Sequence, residues 1–109
     1  MSSRIGSQIP ESCTQRAILD YLAACHVLAF RMNTGAVNLG SRVLRFGVKG
    51  MADILAFPEG RTLWIEVKAE KGKQSPFQKS FEAQVIEAGH TYIVARSVED
   101  VMSVILGAR

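Results

Sequence analysis

Apolar residues recur at helical spacing through Ala17, Ile18, Tyr21, Leu22 and Cys25, and Pro10 suits the first position of the helix they predict, from Pro10 to Cys25. Val27 to Met32 then reads as a strand. The segment through Val37, Leu39, Val43, Leu44 and Phe46, punctuated by Gly35, Gly40, Gly47 and Gly50, reads as short strands and turns. Met51 to Phe57 and Thr62 to Ala69 are apolar-rich strands, and the proline and glycine of Pro58-Glu59-Gly60-Arg61 mark a tight turn that joins them as an antiparallel hairpin. Ser75 can cap a second helix with Pro76 at its first position, after which Phe77, Phe81, Val85 and Ala88 continue in steps of four or three until Gly89. Tyr92 to Ala95 gives a further strand. Ser97 then caps a closing helix built on Val98, Val101, Met102, Ile105 and Leu106.

This order, one helix, several strands, a helix, a strand and a helix, predicts a layered α/β fold. With 109 residues and 48% hydrophobic content the chain fits one domain with a real core and no length for a second. Residues 1–9 read as a leader and 10–109 as that domain, without internal repeat or linker. The leader carries no apolar run of signal-peptide length, and nowhere do about eighteen apolar residues follow one another. A soluble cytoplasmic protein without membrane partners is expected.

Charge sharpens the picture through its distribution. The total, 13 basic against 10 acidic side chains, favours a polyanionic partner only mildly. Between Asp20 and Asp53, however, there is no acidic residue, while Arg31, Arg42, Arg45 and Lys49 fall in that stretch, a candidate phosphate-facing segment or a solvated basic loop. Cys13 and Cys25 lie roughly 18 Å apart along the first helix, too far for a bridge. They form no zinc-ligand spacing with His26 or His90. The glycines around Gly47 and Gly50 lack the P-loop pattern, and Trp64 is expected to pack in the hairpin rather than stack on bases.

The candidate chemistry follows from hairpin register. If residues 58–61 form the loop, Phe57 faces Thr62, and stepping back along both strands sets Asp53 opposite Glu66. Opposed carboxylates repel, so their placement points to a cation between them. Alternation puts Glu66 and Lys68 on one face and Ile65 and Val67 on the other. Hard oxygen ligands suit Mg²⁺ or Mn²⁺, an ion that polarises a phosphoryl oxygen and acidifies water, and Lys68 could position or deprotonate that water. A Glu-x-Lys on a strand can also be a merely solvated face, and a one-residue slip in the turn would send Asp53 to the other side. Gln78, in the first turn of the second helix, is either an exposed helical glutamine or stands where N–H groups and its amide could hold water or a phosphate oxygen.

Gly50-Met51-Ala52-Asp53-Ile54, Ile65-Glu66-Val67-Lys68 and Ser75-Pro76-Phe77-Gln78 with its helix to Gly89 resemble the VRR-NUC family of the PD-(D/E)XK nucleases, over a span from Glu11 to about Val94. The resemblance implies a restriction-endonuclease-like core: a central mixed sheet flanked by helices, in the order α-β-β-β-α-β with an additional C-terminal helix. It implies that Asp53 and Glu66 bind metal, that the Val67 carbonyl adds a ligand, that Lys68 is the catalytic lysine and that Glu11 is the first-helix acid. Glu11 and Gln15, four apart, share a helix face and can reach one site, although an acid at a helix N-terminus is also favoured by the dipole alone.

The expected function is therefore a Mg²⁺- or Mn²⁺-dependent DNA endonuclease with Asp53, Glu66, Lys68 and Gln78 catalytic, Glu11, Asp53, Glu66 and Val67 around the metal, and Gln15, Arg31, Arg42, Arg45 and Lys49 on DNA. Single-domain members of the family resemble Holliday-junction resolving enzymes acting as homodimers. The rivals are a non-catalytic nucleic-acid-binding module and a restriction, nicking or flap-type nuclease.

Overall fold

The structure, a computed structural model, describes residues 9–32 and 35–107, with the backbone alone along 35–38 and 44–46. In chain order it comprises α1 (Glu11–Ala24), β1 (Leu28–Arg31), β2 (Gly35–Asn38), β3 (Val43–Phe46), β4 (Ile54–Phe57), β5 (Leu63–Val67), α2 (Pro76–Glu87), β6 (Thr91–Ala95) and α3 (Val98–Gly107). Each element expected from the pattern of apolar positions is present, with small shifts at the ends. Pro10 stands outside α1 as its N-cap, at φ −63° and ψ 150°, because the ring fixes only φ and leaves the extended ψ of a cap open. Residues 1–8 of the expected leader lie outside the described residues.

β1, β4, β5 and β6 form one sheet in that order, with β1/β4 and β4/β5 antiparallel and β5/β6 parallel. Parallel neighbours need a crossover, and α2 supplies it. Among the described residues β2 and β3 pair only with each other, as a hairpin inserted between β1 and β4. Without that insertion the order is α-β-β-β-α-β followed by a terminal helix, the mixed sheet flanked by helices that the sequence predicts.

The β4–β5 register pairs Ile54 with Ile65, Leu55 with Trp64 and Ala56 with Leu63. Continued outward, it sets Phe57 against Thr62 and Asp53 against Glu66. The connection is a short 3₁₀ turn, Pro58–Gly60, closed by Arg61 N–H donating to the Pro58 carbonyl at 3.0 Å. Glu59 and Gly60 adopt φ of 48° and 76° there, and only the glycine does so without a steric penalty.

The two sheet faces are covered differently. Ile54, Ala56, Leu63, Ile65, Val67 and Ala95 pack against Ile18 and Leu22 of α1 and Val101 and Ile105 of α3, forming the main core. On the other face α2 closes over β5 and β6, with Phe81 and Val85 against Trp64, Tyr92, Val94 and Ala52. Trp64 meets Phe81 edge-on at 5.0 Å between ring centroids, the packing role expected for it. α2 does not extend over β1, where Leu28 and Phe30 remain exposed beside Phe57 of β4. No helix among the described residues is long and apolar enough to cross a membrane.

Candidate active site

Asp53 occupies the bend just before β4. Its main-chain carbonyl still accepts from Met32 N–H at 2.7 Å, so the backbone is anchored to β1, while its side chain turns across the hairpin. Oδ2 accepts from Val67 N–H at 2.7 Å. A carboxylate thus takes a main-chain donor at the end of β5, which fixes Asp53 beside Glu66.

Glu66 projects to the face covered by α2 and is 2% exposed, so the solvated-face reading of Glu-x-Lys does not hold for it. One oxygen, Oε2, accepts from Gln78 Nε2 at 2.7 Å and lies 3.8 Å from Lys68 Nζ. The other, Oε1, is buried without a hydrogen-bond partner. A buried carboxylate oxygen in that condition is costly when charged, and a proton or a cation relieves that cost.

The electrostatics follow from this geometry. Burial, and then the neighbouring charge of Asp53, push the Glu66 carboxyl up to about 8 against the opposing pull of Lys68. Burial also holds Asp53 above the usual carboxylate range, outweighing the Val67 N–H that favours its charged form. Glu11 adds a smaller push on both. Two acids and one lysine therefore retain a proton near neutrality, centred on Glu66.

Gln78 reaches Glu66 because of how α2 begins. Ser75 Oγ accepts from Gln78 N–H at 3.1 Å and Gln78 Oε1 accepts from Ser75 N–H at 2.8 Å, a reciprocal capping box. With the amide oxygen committed to the cap, the amide nitrogen is the end turned to Glu66. Gly50 backs this helix start: its φ is 83°, and a Cβ there would run into the main-chain carbonyl of Phe77, with Gln78 N also only 2.9 Å away.

Glu11 sits at the rim, where its Oε2 accepts from Ala69 N–H at 3.3 Å. Among the described residues no group of three or more His, Cys, Asp or Glu side chains is gathered closely enough to hold a metal ion. The convergence is therefore the Asp53–Glu66 pair, with Lys68 beside it and Glu11 acting at longer range. Of the expected DNA-binding residues, Gln15 Oε1 accepts from Arg31 Nε at 2.7 Å, which joins α1 to β1. Arg42 is exposed, Lys49 Nζ lies 4.0 Å above the Phe77 ring, and the side chain of Arg45 lies outside the described residues.

Two supporting residues carry no sequence signal of their own. Gln74 Nε2 donates to Glu82 Oε1 and to Tyr92 Oη, each at 3.1 Å, tying the segment before α2 to that helix and to β6. Arg96 Nη1 donates to the carbonyls of Ala69, Glu70 and Gly72 at 2.6, 3.1 and 2.8 Å, holding the turn that follows Lys68. Both are polar residues at element ends, and only the distant partner distinguishes them from any surface glutamine or arginine.

The sequence matches no protein-family model and no curated protein. Among solved structures it is similar to one described as a VRR_NUC domain, with a TM-score of 0.68 and 23% identity, covering 91% of this chain and 97% of that one. At this identity the likeness is one of fold, and it agrees with the mixed sheet and flanking helices described above.

Proposed function

We propose that this chain is a nuclease of the VRR-NUC type that hydrolyses phosphodiester bonds in DNA with a divalent ion, Mg²⁺ or Mn²⁺. The observation that carries the reading is Glu66: a carboxylate 2% exposed, with one oxygen lacking any partner, facing Asp53 across the hairpin. Two hard-oxygen donors, one buried and one half-buried, both held above the usual carboxylate range by burial and by neighbouring acidic charge, fit such an ion. Asp53 and Glu66 would hold it, with the Val67 carbonyl and Glu11 completing the set. When bound, the ion would polarise a phosphoryl oxygen and lower the pKa of a water.

The chain's own groups would act around that centre. Lys68, with 13% of its side chain exposed, places its Nζ beside Glu66, where it can meet the charge that develops on the phosphate. Gln78 holds Glu66 in place from the start of α2. Arg31, Arg42, Arg45 and Lys49 supply positive charge for the phosphate backbone, with Gln15 steadying Arg31. A four-way junction has two symmetric scissile sites, so a two-fold dimer supplies the two active centres it needs. The exposed apolar side chains Leu28, Phe30 and Phe57 offer contact surface for that assembly.

The test is incubation of the protein with junction, flap and linear duplex DNA, with Mg²⁺, Mn²⁺ or chelator, alongside light scattering. Metal-dependent cleavage is expected, strongest on the junction, and is abolished in Asp53→Ala and Lys68→Ala variants that remain folded. Binding without cleavage would make this a non-catalytic module, and near-normal turnover in either variant would remove the assignment. A monomer inactive on junctions but active on flaps would replace the junction reading.

A further inference from the structure

Phe77 is an aromatic residue whose position the packing of the fold does not explain. One turn further along α2, Phe81 is half-buried against Trp64 and Tyr92, at 5.0 and 6.3 Å between centroids. Phe77 is 51% exposed and belongs to neither packed cluster. It is nevertheless held firmly. Its main-chain carbonyl abuts Gly50, where a glycine is needed for both the positive φ and the close approach. Lys49, next to that glycine, places its ammonium 4.0 Å from the ring centroid, a cation–π contact that fixes one face of the ring. The following residue, Gln78, is the one that holds Glu66.

A flat apolar surface with a cation on one side therefore stands at the start of α2, one residue before the glutamine that holds Glu66. Such a surface matches a nucleobase laid on the face of the ring opposite the ammonium, with the ammonium left to attract a phosphate of the same strand. In a paired duplex both faces of each base are covered by neighbours, so the ring can be used only by a base released from the stack. We propose that Phe77, with Lys49, is a stacking platform for an unpaired nucleotide next to the scissile phosphate. The preferred substrate is then branched DNA in which pairing is interrupted beside the cleavage point, as where a junction opens at its branch. This inference rests on the nuclease reading and narrows its substrate class.

The experiment compares the parent with Phe77→Leu, which keeps apolar bulk without a ring, and Phe77→Trp, which keeps the ring. Binding is measured by anisotropy with Ca²⁺ in place of Mg²⁺, on fully paired duplex and on DNA with an unpaired 2-aminopurine beside a branch. Cleavage by the parent is followed in parallel with Mn²⁺. For Phe77→Leu the expected result is about tenfold weaker binding to the branched DNA, the lower part of the range for base–aromatic stacking, with binding to duplex unchanged. The 2-aminopurine fluorescence should be quenched by the parent and by Phe77→Trp, and much less by Phe77→Leu. If the parent cleaves but Phe77→Leu binds both DNAs as the parent does, or loses both equally, the platform is wrong and the nuclease reading stands. A parent that neither binds nor cleaves any of these DNAs overturns both.

Discussion

Replacing Glu66 with Gln should make the metal-free protein more stable in alkali while leaving it little changed in acid. Below its ordinary value of 4.5 the carboxyl carries a proton in both the folded and the unfolded chain, so folding neither binds nor releases one there. Between 4.5 and about 8 the folded protein keeps a proton that the unfolded chain has lost, and stability falls as the pH rises. The slope is at most about 1.4 kcal/mol per pH unit, so crossing the interval removes a few kcal/mol, a large share of the stability of a small domain. Above about 8 both states are ionised and the full penalty of the buried charge is present. Glutamine reproduces the neutral acid: its amide oxygen can accept from Gln78 Nε2 as Glu66 Oε2 does, and it does not titrate.

The assay is urea unfolding of parent and Glu66→Gln at pH 5, 7 and 9 in chelator, where the difference between the two curves reports residue 66 together with its coupling to Asp53. The variant is expected to match the parent within about 1 kcal/mol at pH 5 and to exceed it by a few kcal/mol at pH 9. Mn²⁺ should close much of the alkaline gap by raising the parent, since an ion that binds only the folded state stabilises by about 2.7 kcal/mol at a hundred times its Kd. Curves that run parallel from pH 5 to 9 would refute the buried, proton-holding Glu66, and with it the electrostatic case for a cation at this place.

Two further substitutions test the scaffold of the site. Gly50→Ala puts a Cβ into the Phe77 carbonyl at a positive φ and should destabilise by roughly 1–3 kcal/mol, with lower activity; a thermal midpoint equal to the parent's would contradict the docking of this loop on α2. Gln78→Ala loses half of the capping box and the donor to Glu66, whereas Ser75→Ala loses only the other half of the box, so both should lose about 1 kcal/mol of stability but Gln78→Ala alone should lose most of the cleavage rate. Equal rates in the two variants would show that the Glu66 contact is idle.

Much of this site can be derived from local rules. Proline and glycine at 58 and 60 make the turn, the turn sets the register, and strand alternation then sends Asp53, Glu66 and Lys68 to one side and Ile65 and Val67 to the other. Serine, proline and glutamine at 75, 76 and 78 likewise announce the start of α2. These are relations over a few residues or one hairpin, where covalent geometry leaves few alternatives. The tertiary structure decided what surrounds those groups. Nothing local says that Glu66 is enclosed and half-satisfied rather than solvated, because its cover arrives from a helix twelve residues further on. Nothing local says that Glu11 would be drawn to the Ala69 main chain, that Gln74 and Arg96 would brace the loop between β5 and α2, or that Lys49 would lie on Phe77. Burial and long-range hydrogen bonds depend on which surfaces meet once the sheet is packed, so the identity of the acids belonged to the sequence and their charge state to the fold.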